Sequence, residues 1–414
     1  MRKKINLLLL GLVRFQSPPA IPAAGSSLSA LWTFPSVLAA SLMIAWAAEA
    51  AQFLISQGLA LAILAWLQTL PEFAVEFVIA WEKRVDLMTA NLTGSLRLLV
   101  GLGWPLIYAT AAFFNRRKTK QPLREIVLER EHAVEVVSLT APILYFFIIL
   151  IKGSLSIFDS VILIAIYFVY LYILQRIPPQ SEEKIEELEY VPRKIMTSSR
   201  RTRNTAILGL FLGGGLIMYL VAEPFLHSML VLAVSAGISQ FVFVQWVAPF
   251  LSEFPEKVSA LYWARTVRNA PLALMNMVSS NINQWTLLAA MLPIVYSIRM
   301  GTPTPIPFSA HHKLEIALTI SQSLLGLVLL INMRFSWYEA CLLFTLWFVQ
   351  FVFSAVTPSE SFFSVHLVVT ILYFVWSAVE LGRMTFGDRE FTAFKVFRDL
   401  AKTHLTKPAK SFTK

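Results

Sequence analysis

The sequence predicts an all-α integral membrane protein, an inverted repeat of five plus five transmembrane helices followed by an extra C-terminal helix. Three observations lead there. The 414-residue chain is 57% hydrophobic and only 14% charged, with a mean hydropathy of +0.64. Its apolar residues form about eleven runs long enough to cross a bilayer, which takes about 20 residues per helix. The chain also repeats itself at the level of short polar motifs.

The runs place spans at 34–54, 58–81, 87–113, 133–151, 157–175, 205–226, 236–263, 271–297, 314–332, 337–356 and 361–380. Weakly alternating ten-residue segments, the mark of an outer-membrane barrel, are absent. The net charge of +10 does not indicate nucleic acid binding. The basic residues sit between the runs, as in Arg116, Arg117, Lys118 and Lys120, where they orient a membrane protein. Connections 115–132 and 176–204 and the Arg265–Arg268 turn then share the cytoplasmic side. The tail from Arg383 carries eight basic and three acidic residues, and it joins them only if 361–380 is a true eleventh span.

Six segments follow: an N-terminal segment 1–33, a first repeat 34–175, a cytoplasmic linker 176–204, an inverted second repeat 205–356, an extra helix 357–382 and a basic cytoplasmic tail 383–414. In the first, basic Met1–Lys4, apolar Ile5–Val13 and small-residue Ala20–Ala24 fit a signal-like segment or a short interfacial helix equally. The linker, with glutamates in Ser181–Glu189 and bases in Arg193–Arg203, is expected to form a solvated helix. Gly213–Gly215 reads as close helix packing, since no P-loop lysine follows. Short loops lean towards a prokaryotic plasma membrane, and oligomeric state is not legible.

The repeat is carried by polar landmarks. Pro71-Glu72 is followed by Asn91-x-x-Gly94-Ser95, and Pro255-Glu256 by Asn276-x-x-Ser279-Ser280. Further on, Ser156-x-x-Asp159 and Ser336-x-x-Glu339 both look like capping boxes opening an apolar helix. An odd number of spans per repeat turns the second copy over, an architecture that places ion sites near the midplane.

Glu72 and Glu256 fall mid-span, where a carboxylate costs at least ~2.5 kcal/mol and is a functional candidate by default. Each follows a proline, which breaks the helix and frees carbonyl oxygens. With the hydroxyls of Thr69, Ser95, Ser252 and Ser280 and the amides of Asn91 and Asn276, the oxygen-only set suits Na⁺ or Ca²⁺. The alternative is that the glutamates only satisfy each other's helix ends. One cysteine, Cys341, excludes a disulfide framework, and the histidines lack HExxH spacing. No prenyltransferase Asp pair or Gly-x-Ser-x-Gly motif marks an enzyme, and no cofactor is called for.

Thr69-Leu70-Pro71-Glu72 with Asn91-x-x-Gly94-Ser95, and Phe254-Pro255-Glu256 with Asn276-x-x-Ser279-Ser280-Asn281, resemble the two α-repeats of the calcium/cation antiporter superfamily, which includes the sodium/calcium exchangers. That family's pattern is T-S-L-P-E, then G-N-x-x-G-S-N-x-x-N or D. The resemblance implies an exchanger trading Na⁺ or H⁺ for Ca²⁺ by alternating access. It carries the metal-cation ligands to Glu72 and Glu256, with Thr69, Ser95, Ser252 and Ser280 around them and Pro71, Pro255, Asn91 and Asn276 at the helix breaks. Glu253 stands where the family has serine, Gln68 where it has threonine, and Leu99 and Gln284 where it has an acid or amide. Arg97 is expected to intrude beside the first site, pairing with Glu76 or replacing an ion, and Lys257 follows Glu256. These departures keep open a second reading, a non-transporting membrane scaffold or regulator with the same fold.

Overall fold

The structure, a computed structural model, describes residues 27–54, 64–177, 185–356, 359–387 and 390–405. Most of the N-terminal segment 1–33, the start of the acidic run in the linker and the end of the tail lie outside the described residues.

The first half opens with α1 (Ala30–Ala51). Residues 64–68 are helical, and after a turn at Thr69 the chain continues as α2 (Leu70–Trp81). Then come α3 (Val85–Leu98), a π-helical turn Leu99–Gly103, α4 (Trp104–Thr119), α5 (Ala133–Ser138), α6 (Thr140–Lys152) and α7 (Ile157–Arg176). Past the short α8 (Tyr190–Met196), the second half runs through α9 (Arg200–Ser235), α10 (Gln240–Ser252), α11 (Phe254–Ala264) and α12 (Ala270–Asn283). A second π-turn, Gln284–Leu288, leads to α13 (Ala289–Met300), α14 (Ala310–Leu330) and α15 (Trp337–Val356). The eleventh span is α16 (Ser359–Phe386), and the tail forms α17 (Thr392–His404).

Among the described residues, eight helices are long and apolar enough to cross a membrane. The predicted spans 58–81, 236–263 and 271–297 are the ones interrupted by breaks and polar motifs. The breaks in the first two have one cause. Pro71 and Pro255 lack the N–H that would bond four residues back, and each ring crowds that carbonyl. The helix therefore yields two residues before each proline, at Thr69 (φ −86°, ψ −3°) and Glu253 (φ −94°, ψ 2°).

Two small antiparallel ribbons display the inversion. Strand β1 (Glu125–Val127) pairs with β4 (Arg334–Ser336), and β2 (Ser154–Leu155) pairs with β3 (Ile306–Pro307). By the repeat offset of about 180 residues, β1 corresponds to β3 and β2 to β4. Since α5 and α6 run from β1 to β2, corresponding strands lie at opposite ends of the bundle. Such an arrangement requires the second half to be upside down relative to the first. The tail helix meets the β1–β4 end, where Ala393 N donates to Ile331 O at 2.8 Å. Arg265, stacked 5.2 Å from the Phe114 ring, is near the end of α4 that leads into β1.

The capping box at Ser156 forms, with Ser156 N donating to Asp159 (2.7 Å), and at the second site Ser336 N donates to Glu339 (2.7 Å). Asp159 also accepts from Tyr145 Oη at 2.8 Å and pairs with Lys152. Asp159→Ala is expected to lower stability by ~1 kcal/mol, read as a depressed Tm in detergent.

The linker departs from expectation. Its described helix, α8, is short and solvated on one face only: Tyr190 is exposed, while Ile195 and Met196 are buried with Ala47 and Ala50 of α1. With Pro192, also buried, Ile195 and Met196 recur at helical spacing, which gives α8 a face to bury. The sixth span is also longer than expected, because the polar residues 200–204 before it and residues 227–235 after it continue the helix. Gly214 of α9 approaches α1 so closely that a Cβ would lie 3.0 Å from Ala40 O. Leu208, Leu212 and Leu216 on α9 and Val368, Ile371 and Val375 on α16 point outward. An apolar belt of this size is the surface a protein presents to lipid.

Candidate functional site

The two helix breaks face each other halfway through the bundle, and the side chains around them converge. Glu72, Asn91, Ser95, Glu256, Asn276, Ser280 and Gln284 are all 0% exposed. Asn91 Nδ2 donates to Glu72 and, at 2.6 Å, to Glu76 one turn further along α2. Ser252 Oγ donates to the other oxygen of Glu72. Glu253 accepts from Ser95 Oγ, from Gln284 Nε2 (2.6 Å) and from Lys257 Nζ (2.6 Å). Thr69 Oγ1 accepts from Asn283 Nδ2, and Gln68 Oε1 from Asn276 Nδ2 at 3.2 Å.

Half of these bonds cross between the halves. Ser252, Asn276 and Asn283 of the second repeat reach Glu72, Gln68 and Thr69 of the first, while Ser95 reaches over to Glu253. The cluster is therefore built jointly by both copies. The π-turns Leu99–Gly103 and Gln284–Leu288 stand at equivalent places just past Ser95 and Ser280. Such bulges interrupt a helix where side chains must be re-aimed.

What the bonds leave over indicates the chemistry. Among the described residues, Glu256 Oε1 and Oε2, Glu76 Oε1, Asn91 Oδ1, Asn276 Oδ1, Asn283 Oδ1 and Gln284 Oε1 are buried without a hydrogen-bond partner. Ser280 Oγ is in the same state and lies beside Glu256. A buried polar atom without a partner costs about 1–3 kcal/mol; Gln68 Nε2, a donor, is also left over here, but acceptors outnumber it. The unpartnered atoms are nearly all acceptors, gathered around four carboxylates and one ammonium. A cation satisfies such a set, whereas an anion or an apolar ligand worsens it. The donors are all hard oxygens, which suits Ca²⁺ or Na⁺.

The family description "Sodium/calcium exchanger protein" matches residues 27–175 and 206–356, once in each half. The chain belongs to the sodium/calcium exchanger family. Its fold matches the crystal structure of the H⁺/Ca²⁺ exchanger CAX with a TM-score of 0.79 and 31% identity, covering 97% of this chain and 99% of that one. Native YfkE matches with a TM-score of 0.56 at 16% identity, over 90% of this chain and 98% of that one. The sodium-calcium exchanger NCX_Mj matches with a TM-score of 0.51 at 18% identity, over 79% and 99%. The last two likenesses speak for the fold alone. Comparison with curated proteins finds no match.

In this exchanger, Thr69, Glu72, Asn91, Ser95, Ser252, Glu253, Glu256, Asn276, Ser280 and Gln284 gather in the cluster, and Arg97 does not. Successive helical residues are about 100° apart, so Arg97 is about 200° round α3 from Ser95. Its guanidinium pairs with Glu315 at 2.6 Å, not with Glu76. The expectation that Arg97 intrudes on the first site is therefore corrected: sequence nearness placed it there, and helical phase turns it away. Pro255 is the second residue of α11. Glu76, Gln68 and Asn283 belong to the cluster although the motif did not single them out as ligands. Glu76 was findable, because i and i+4 share a helix face. Asn283 joins only through the fold.

Proposed function

We propose that this exchanger moves Ca²⁺ against H⁺ by alternating access, with the cation held between Glu72 and Glu256. The observation that carries this reading is the set of buried, unpartnered oxygen acceptors around Glu256, drawn from both repeats. Carboxylates packed this closely repel one another unless a proton or a metal cation intervenes. Occupation by one disfavours the other, which is the requirement for exchange. Protons are chosen over Na⁺ because the relative at 31% identity is an H⁺/Ca²⁺ exchanger. Inverted repeats meeting at a midplane site support alternating access. Linker and tail are taken as cytoplasmic on their basic charge.

The test is uptake of radioactive Ca²⁺ into proteoliposomes, driven in turn by an outward H⁺ and an outward Na⁺ gradient. Uptake that requires the H⁺ gradient supports the reading. Uptake that requires Na⁺ reassigns the counter-ion, and none under either gradient from folded protein favours the scaffold reading.

Lys257 supplies a further prediction. Its ammonium bonds Glu253 and is a fixed cation beside the site. Like charges near a site disfavour a bound cation by up to ~4 kcal/mol at contact. Lys257→Gln is expected to tighten Ca²⁺ binding, so that a Ca²⁺-induced rise in Tm appears at several-fold lower concentration. A shift to higher concentration contradicts the placement of Lys257 as a competitor.

A further inference from the structure

A second buried polar cluster lies on the far side of α3 from the carboxylates. Arg97 Nη2 donates to Glu315 Oε2 at 2.6 Å, and both side chains are wholly buried. Gln245 Nε2 donates to the same Glu315 oxygen at 2.8 Å and reaches Thr93 Oγ1 at 3.4 Å. Arg97 Nε donates to Thr93 O (3.1 Å), and Arg97 stacks 5.2 Å from the Trp246 ring. His366 of α16 approaches the other Glu315 oxygen at 3.6 Å. Gln350 of α15 accepts from Arg97 and donates to Gln322 of α14 at 3.0 Å, and Gln322 in turn donates to Arg97 O. The cluster thus gathers α3, α10, α14, α15 and the eleventh span.

A fully buried ion pair is weak evidence for stability, because desolvation offsets its attraction. Position is what this pair decides. Of the helices it joins, α3 carries Asn91 and Ser95 on its opposite face, and α10 ends in Ser252 and Glu253. At the same level a Cβ on Gly94 would lie 1.8 Å from Gln245 O, so α3 and α10 touch backbone to backbone. Ser95–Glu253 and Ser252–Glu72 are the bonds that then cross between the halves. Any slip of α10 along α3 is transmitted to both.

We propose that Arg97, Glu315 and Gln245 are positioning residues that hold α10 in register with α3, with His366 of the eleventh span closing the cluster, and so set the affinity of the cation site. The eleventh span, α16, lies beyond the residues matched by the family description, and this assigns it a role: it seals the pair from lipid. The inference rests on the cation-site reading above. Ligands must be held within about 0.5 Å of their working geometry, so loosening this contact acts on affinity first.

The test compares Ca²⁺ uptake by full-length wild type, Arg97→Lys and the double variant Arg97→Gln/Glu315→Gln in proteoliposomes. The double variant leaves no unpaired buried charge, so it avoids the penalty that unfolds a single charge deletion. Its half-saturating Ca²⁺ concentration is expected to rise ~10-fold with the maximal rate within about 3-fold, while Arg97→Lys recovers most of the affinity. An unchanged half-saturation in the folded double variant overturns the inference, as does a drop in maximal rate alone. If wild type shows no uptake, the transport reading fails separately. The positions of the Ca²⁺-induced Tm shifts in the same three proteins then decide the inference, with coincident shifts overturning it.

Discussion

Replacing Glu72 and Glu256 together by glutamine is expected to reduce Ca²⁺ uptake to background while leaving the protein folded. Glutamine keeps the volume; its carbonyl oxygen can still accept from Asn91 Nδ2, and its NH2 can donate to Ser252 Oγ, reversing that bond. What disappears is charge. One carboxylate near a bound cation is worth ~4 kcal/mol at an effective dielectric of 20, about a thousandfold in affinity per site. Each single variant is therefore expected to lose most uptake, and the double variant all of it. The check is initial uptake rate alongside gel-filtration profile and Tm, which a relieved carboxylate cluster leaves equal or higher. Normal uptake by a folded double variant would remove the paired glutamates from the mechanism.

Gly94→Ala is expected to be the most damaging single-methyl change in the chain. Its Cβ would meet Gln245 O at 1.8 Å and the carbonyl carbon at 2.7 Å. Backbone cannot swing aside as a side chain does, so α3 and α10 must separate. Overpacking of this kind costs up to about 3 kcal/mol and occasionally more. Separation also pulls Ser95 from Glu253, so uptake should fall with Tm. Gly215→Ala is the control. It has nothing within 4 Å of its Cβ on the same kind of helix, and alanine is favoured over glycine there by roughly 0.5–1 kcal/mol. Equal Tm values for the two variants would contradict the close approach of α3 and α10.

Much of the architecture is legible in the residues because the bilayer imposes a simple length rule. Among the described residues, eight of the runs reappear as helices long and apolar enough to span, the two mid-span prolines as helix breaks, and the Ser-x-x-acid pairs as bonds at two helix starts. The π-turns at Leu99 and Gln284 left no such mark, since neither segment carries a proline and both read as continuous helix. In the linker, the charge count hid the apolar spacing of Pro192, Ile195 and Met196, which gives α8 one buried face.

The clustered polar side chains divide on the same principle. Local sequence alone determined that Glu72 and Glu256 stand mid-span behind a proline, because a buried carboxylate and a helix break are expensive wherever the chain goes in lipid. It also determined the repeat, since two copies of one motif need no third dimension to be seen. Only the tertiary structure decided which partners meet. Ser95 finds Glu253 and Asn283 finds Thr69 across more than a hundred residues, and no local spacing encodes that. Arg97 is the clearest case. Two residues from Ser95 in sequence, it faces the other way, because a helix turns by about 100° at each step and long-range packing supplies Glu315 to receive it.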